Sequence, residues 1–326
     1  PLYNNHHRHQ PSSIVKGMNN VARAAMLERH WHSLRKPVQI GLDCSRWDGH
    51  VSLSLLRVEH RFYRKLFRGN KELDRLLSWQ ENNVGYTRSG VKYTCPGGRM
   101  SGDMNTALGN CVLMVACLCY AMKRLGLSPK QWRMADDGDD CCIMVEENVS
   151  RSVIEGLPGI FLELGHELKI ENIARSFDQV TLCSGRPIRV GGRRVMVLHP
   201  RRTIGKSRIN VSKSTGQHYR DYIHSVGVCL LQLNRGIPVL QAHALAMIRA
   251  SGQRLQFMPG SYLHRLDPAM WDRFDLSPVS IGTEARLDFS ASFDISIEQQ
   301  VAYEKWFDGL AAEELLGFAP PKEVLA

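Results

Sequence analysis

Apolar positions recur every three or four residues over 18–35, "MNNVARAAMLERHWHSLR", with basic residues between them, and that period predicts an amphipathic helix. Pro37 ends it, and "VQIGLDCS" reads as a short strand. The helical period returns from about Ser52 through "LLRVEHRFYRKLF", with Gly69 as its stop. Residues 82–100, "NNVGYTRSGVKYTCPGGRM", alternate in brief stretches among glycines and a proline, as a hairpin or loop does. The segment "SGDMNTALGNCVLMVACLCYAMKRLG" is apolar on most sides beyond Leu108, which predicts a long buried helix.

Two apolar runs, "WRMA" and "CCIMV", flank Asp137-Gly138, and an Asp-Gly dipeptide between such runs predicts a hairpin with the neighbouring carboxylates on its tip. A helix over 150–165 interrupted by Pro158, a strand "HELKIEN", and strands around "QVTLCSG" and "RRVMVLHP" complete an α+β unit. From about Pro200 the pattern is mostly helical, clearest in "YIHSVGVCLLQL", "PVLQAHALAMIRAS" and "EQQVAYEKWFDGLAAEELLG", and the shift marks a second sub-domain. There is no internal repeat or extended low-complexity tract.

Composition narrows the function class. The net charge of +10 favours polyanionic partners, nucleic acid first and an acidic membrane surface second. Nine cysteines lie mostly in apolar runs without repeated spacing, which predicts buried thiols in a reducing compartment and neither a disulfide framework nor a zinc site. The longest apolar run, Cys111 to Met122, falls short of the ~20 residues that span a bilayer. The opening "PLYNNHHRHQ" has no initiator methionine and no signal-peptide core, so the chain reads as a fragment or a processed product, and its "HHRH" as a solvated basic terminus more than a metal site.

The chemistry concentrates at Asp136, Asp137, Asp139 and Asp140, crowded around Gly138. Adjacent carboxylates resist joint ionisation unless a cation neutralises them, so the cluster asks for a metal. Upstream, Asp43 ends a predicted strand and Asp48 follows after the turn. Asp43 and Asp139 on neighbouring strand ends would hold two Mg²⁺ ions about 3.5–4 Å apart, the arrangement for in-line phosphoryl transfer. Thr106 and Asn110 share one helical face, with Ser101 and Gly102 at the helix entrance. Hydroxyl and amide groups there, next to Asp48, would hydrogen-bond a ribose 2′-hydroxyl, and Gly102 would allow a backbone bend.

At these three stretches the chain resembles the RNA-dependent RNA polymerases of positive-strand RNA viruses. The match covers D-x4-D at Asp43 and Asp48, S-G-x3-T-x3-N from Ser101 to Asn110, and G-D-D from Gly138 to Asp140, which are the family's motifs A, B and C in the family's order. "GDMNTALGNC" looks especially like the tombusvirus and carmovirus group, with the flavivirus-like polymerases as distant kin. "LGHELKIEN" resembles motif D, and "QVTLCSGRPIRVGGRRVMVLHPRR" resembles motif E and its continuation. Trp47, Asp137 and "LCSG" depart from the family's more usual residues.

The resemblance implies a right-hand polymerase: partial fingers over 1–35, a palm with an antiparallel sheet over 36–198 carrying a fingers insertion at about 60–100, and a helical thumb over 199–326. It implies Asp43 and Asp139 as principal metal ligands, Asp140 as auxiliary, and Lys169 as the acid near the triphosphate. Asp48, Ser101, Gly102, Thr106 and Asn110 would judge the sugar, and Cys183 would hold the primer end. His166 reads as ordinary surface, and the arginine-rich run 186–208 as the better candidate for RNA backbone contact. Implied with these are two Mg²⁺ ions, with Mn²⁺ as a substitute, RNA template and product, and ribonucleoside triphosphates. Viral replicase proteins and host membrane would join through regions outside this chain, at membrane-associated replication sites in the host cytoplasm. The rivals are a reverse transcriptase, which shares the carboxylates, and a catalytically silent RNA-binding scaffold.

Overall fold

The computed structural model describes residues 13–209, 217–252 and 275–317, so the basic terminus at 6–9 lies outside the described residues. The chain divides into two units, 1–183 and 184–326. In the first, α1 (Asn20–His32) starts at Asn19, whose side chain accepts a hydrogen bond from the Ala22 amide at 2.8 Å. The strand β1 (Pro37–Cys44) follows, then a short turn of helix α2 (Trp47–His50) and α3 (Leu53–Leu66), capped by Ser52. Next come α4 (Lys71–Glu81), the hairpin β2 (Asn82–Tyr86) and β3 (Lys92–Pro96), and the long α5 (Thr106–Arg124). The unit continues with β4 (Trp132–Asp136), β5 (Asp140–Glu146), α6 (Glu147–Glu163) and β6 (Leu168–Ala174).

The four strands β4-β5-β1-β6 form one antiparallel sheet with β1 inside it. Successive side chains of a strand point to opposite faces. Val38, Ile40, Leu42 and Cys44 therefore share one face, and with Cys141, Ile143, Val145 and Leu168 they join Leu113, Met114 and Leu118 of α5 and Val153, Leu157 and Phe161 of α6 in a single core. Asp43 falls on the opposite face, and it is the one exposed position of β1.

Several elements differ from the expectations. The helix α6 runs unbroken through Pro158, which removes one backbone donor; burial of Val153, Leu157, Ile160 and Phe161 offsets that loss, about 3 kcal/mol in a helix interior. "QVTLCSG" is not a strand: Cys183 and Ser184 both take left-handed conformations, φ 50° and 59°, and turn the chain. The helix α4 has no counterpart in the hydrophobic pattern, because Leu77 is its only buried residue. By length and composition α5 is sufficient to cross a membrane, more than its apolar run suggested, and half of it is buried in the unit's core. All nine cysteines are free thiols; five are buried, and Cys119, expected in the core, is exposed.

The second unit opens with the hairpin β7 (Gly185–Val190) and β8 (Arg193–Leu198), joined by Gly191 and Gly192 at positive φ. Among the described residues six helices follow: α7 (Pro200–Ser207), α8 (Gln217–Asn234), α9 (Leu240–Ser251), α10 (Thr283–Phe293), α11 (Ile297–Gly309) and α12 (Ala312–Gly317). Their core gathers Ile223, Leu240, Met247, Phe289 and Phe307 with Ile188 and Val197 of the hairpin. The hairpin, expected with the strands before it, thus packs with the helices.

Candidate active site

One end of the sheet collects the acidic residues. Asp43 is the direct cross-strand partner of Asp140 on β5 and of Lys169 on β6. The turn from β4 to β5 closes when the Asp137 amide donates to the Asp140 carbonyl at 2.9 Å, and Gly138 makes it with φ 102°, a conformation that other residues rarely adopt. Asp139 stands on this turn, one residue from the partner of Asp43. Asp43, Asp139 and Asp140 are exposed, and the Asp43 and Asp139 side chains make no hydrogen bond or ion pair among the described residues. On the neighbouring edge, burial first and then the Asp43 and Asp140 carboxylates push the Glu171 carboxyl above its ordinary range. This end of the sheet is a concentration of negative charge.

Such an end fits a hard divalent ion. Among the described residues no three His, Cys, Asp or Glu side chains converge as a ready-made cage. Mg²⁺ needs none, since it binds through one or two carboxylates together with water and substrate phosphate.

The four aspartates of the turn are not equivalent, which corrects the expectation that all stand on the tip. Asp136 is fully buried. Its Oδ1 accepts from the Gly138 amide at 2.8 Å, its Oδ2 has no partner, and burial raises its pKa to about 7. Asp137 is neutralised by protein cations: Lys16 Nζ lies 3.3 Å from Oδ1, and Arg23 Nη2 donates to Oδ2 at 2.8 Å. The Cys183 thiol donates to the same Oδ2 at 3.2 Å, so this expected primer contact sits beside the turn. Only Asp139 and Asp140 remain exposed to solvent.

A second group forms around Asp48. Arg46 turns the chain in a left-handed conformation, φ 52°, which sends Trp47 into the core and leaves Asp48 half-buried. Ser101 Oγ donates to Asp48 Oδ2 at 2.8 Å, and Asn110 Nδ2 donates to Oδ1 at 2.9 Å. Gly138 connects the two groups, since a Cβ placed on it would stand 3.4 Å from that of Asn110. Thr106 is not joined to Asp48. Its hydroxyl donates to the Met100 carbonyl at 2.6 Å and ties down the helix entrance. Gly102 has open space around it and does not adopt a positive φ, so the bend there does not depend on glycine.

Lys169 is exposed and lies 3.9 Å from Glu167. His166, expected at the surface, is instead fully buried and stacked on Trp47, with ring centroids 4.0 Å apart and 10° between planes. Burial lowers its pKa to about 4. Other residues escaped the reading of the sequence: Lys16, Arg23, Glu59 and Arg99 carry no spacing signal, because distant parts of the chain bring them to the site. Glu171 was findable, as it lies two residues beyond Lys169 and so on the same strand face.

Within the second unit much of the arginine-rich run serves the fold. Arg189 pairs with Asp288 through Nη2 at 2.6 Å and Nε at 2.9 Å, Arg194 reaches the same carboxylate at 3.5 Å, and Arg208 donates to the Leu315 carbonyl at 3.0 Å. Arg193, Arg201, Arg202 and Lys206 are the exposed cations of the run.

The chain is similar to known proteins along most of its length. A family model described as viral RNA dependent RNA polymerase matches residues 8–314. The chain is 33% identical over 310 residues to an RNA-directed RNA polymerase of groundnut rosette virus (strain MC1), covering 93% of this chain and 36% of that relative. It is 33% identical over 318 residues to that of tomato bushy stunt virus (strain Cherry), covering 93% and 37%. With the enzyme of oat chlorotic stunt virus (isolate United Kingdom) the identity is 37% over 239 residues, covering 71% and 31%. The chain spans about a third of the length of the curated relatives it matches.

Proposed function

The chain belongs to the viral RNA-dependent RNA polymerase family, and we propose that it carries the catalytic centre for templated addition of ribonucleotides to an RNA 3′-hydroxyl. The observation that carries this reading is the register of Asp43 opposite Asp140, which puts Asp139 at the same sheet end. The hydroxyl oxygen attacks the α-phosphorus of a ribonucleoside triphosphate, the bond to the β-phosphate oxygen breaks, and pyrophosphate leaves.

Asp43 and Asp139 would hold two divalent ions, with Asp140 beside them. Bound there, Mg²⁺, or Mn²⁺ in its place, supplies charge stabilisation and a lowered hydroxyl pKa. Lys169, across from Asp43, would give a proton to the departing pyrophosphate. Asp48 would accept from the ribose 2′-hydroxyl, with Ser101 and Asn110 holding the carboxylate. Thr106 would tie down the loop that presents Ser101, and Cys183 would shape the turn beside the primer end. In the right-hand description, the sheet with α5 and α6 would be the palm, residues 1–35 and the insertion at about 60–100, with α4 and the β2–β3 hairpin, would belong to the fingers, and the helices after about 199 would form the thumb. RNA and ribonucleoside triphosphates are the partners of this centre. Replicase proteins and a host membrane would engage other regions of the protein.

Primer extension tests the reading. Asp139→Ala is expected to abolish nucleotide addition and leave RNA affinity within about twofold, because the lost interaction belongs to the transition state. Elongation by that variant at the parental rate in Mg²⁺ would refute the assignment. The family match favours neither rival: a reverse transcriptase would prefer deoxyribonucleotides in the same assay, and a silent scaffold would incorporate nothing.

A further inference from the structure

Beneath the Asp48 group lies an ion pair that the reaction does not use directly. Glu59 on α3 and Arg99, just before the Ser101 turn, have fully buried side chains. Arg99 Nη2 pairs with Glu59 Oε2, and Nη1 lies 3.4 Å from Oε1. The third donor, Nε, points away from Glu59 to Asn110 Oδ1 at 3.1 Å. Its backbone amide donates to the Asp48 carbonyl at 2.9 Å. One arginine therefore touches both residues of the proposed sugar contact.

The chemistry of the groups makes this a one-way device. Guanidinium has five donors and no acceptor, so the Asn110 oxygen must face it. A turned-over amide would set N–H against N–H. With the oxygen committed, Asn110 Nδ2 has to point at Asp48 Oδ1, where it stands 2.9 Å away. Glu59 is fixed in turn: Asn105 Nδ2 donates to its Oε1 at 2.9 Å, and Gln80 of α4 donates to Asn105 Oδ1 at 2.7 Å.

The helix is cut to fit the pair. A Cβ on Gly109 would overlap the Glu59 carboxylate and stand 2.5 Å from Arg99 Nη2, so a larger residue there would push the ends of the pair aside. Burying two charges costs desolvation that apolar residues of the same volume would not incur, so stability alone does not account for the pair.

We propose that the Glu59–Arg99 pair is the positioning device for sugar selection: it fixes the Asn110 amide, and through it Asp48, in the orientation that a 2′-hydroxyl completes. A rigid acceptor left unpaired by a 2′-deoxy sugar penalises that sugar, whereas a loosened one rotates to find another partner. The pair thus acts by denying Asp48 and Asn110 an alternative. This inference rests on the reading of Asp48 and Asn110 as the sugar contact.

The test is primer extension with ATP and with 2′-deoxy-ATP, read as the ratio of the two kcat/KM values. Arg99→Lys keeps the charge beside Glu59 but lacks the Nε donor, and the ratio is expected to fall about tenfold, the worth of one charge-assisted hydrogen bond. Glu59→Gln combined with Arg99→Met removes both buried charges, covers the case in which Arg99→Lys does not fold, and is expected to lower the ratio equally. Adding Arg99→Lys to Asn110→Ala should lower it no further than Asn110→Ala alone, since the arginine acts through that amide. General loss of structure would slow both nucleotides together and leave the ratio unmoved. If Asn110→Ala lowers the ratio while both Arg99 variants keep the parental value, the positioning role is overturned and the sugar contact stands. If Asn110→Ala itself leaves the ratio unchanged, the sugar contact fails and the positioning role fails with it.

Discussion

Asp43 and Asp140 are direct partners across β1 and β5, at the point where the sheet ends and the Gly138 turn begins. Directly opposed residues in an antiparallel pair lie roughly 5 Å apart and share one face. Two adjacent carboxylates in that relation repel each other, and so does Glu171 on the neighbouring strand. Lys169, the partner of Asp43 on the other side, is the cation that this strand end already places beside the carboxylates.

Asp136, inside the same turn, has the opposite problem. Its folded pKa, about 7, lies above the ordinary 3.8, so the folded state holds its proton more tightly than the unfolded chain. Stability is full below pH 3.8 and is lost as pH rises toward 7. Asp136→Asn keeps the acceptor for the Gly138 amide and removes the titration. Relative to the parent, it is expected to gain on the order of 3 kcal/mol at pH 8 and nothing at pH 4, measured by urea denaturation. An equal difference at both pH values would contradict the burial argument.

His166 reverses that sign. Its pKa is lowered to about 4 by burial, with a contribution from His50, so the unfolded chain binds the proton more tightly. Stability from the neutral ring is present above about pH 6.5 and is lost as pH falls toward 4. His166→Ala removes the stacking partner of Trp47 and is expected to cost about 2–4 kcal/mol at pH 7.5, with the deficit shrinking toward pH 4.5. A deficit independent of pH over that interval would show that the ring takes up its proton as readily in the fold as in the unfolded chain, against the burial argument.

Arg23 and Lys16 hold Asp137 from the N-terminal segment, whose Val15 amide also donates to the Asp136 carbonyl at 2.8 Å. The Arg23 and Asp137 side chains are 20% and 13% exposed, so their pairing is worth more than a surface ion pair. Arg23→Ala should destabilise the chain by about 1–3 kcal/mol in urea, and Lys16→Ala, which is more exposed, by less. Removing Asp137 as well, in Asp137→Asn with Arg23→Ala, should recover part of that loss. No coupling between the two would mean that the cations do not anchor the turn.

The carboxylates of the candidate site were legible because they lie on short, regular elements. The apolar runs around Asp137-Gly138 specified a hairpin, and the apolar strand before Asp43 specified where it ends. Legibility failed where the third dimension decides. Nothing along the chain separates Asp136 from Asp139, since burial of one and exposure of the other follow from the Ser13–Val15 segment pairing beside the turn. His166 looked polar and hence exposed, yet it packs against Trp47 from a remote segment. The helix α4 buries too few side chains to show a periodic stripe, although Asn70 caps it and Glu72 and Asp74 occupy its first turn. The Glu59–Arg99 pair joins residues forty positions apart with no sequence signal except Gly109.

Mn²⁺ binding, followed by electron paramagnetic resonance in the presence of a non-hydrolysable ribonucleoside triphosphate, addresses the shared carboxylate site itself. Asp43→Asn and Asp139→Asn should each weaken Mn²⁺ affinity by at least tenfold, and the double variant should bind little more weakly than either single one, as two ligands of one ion do. Undiminished affinity in both single variants, or losses that simply multiply in the double variant, would mean that these side chains do not grip a common ion.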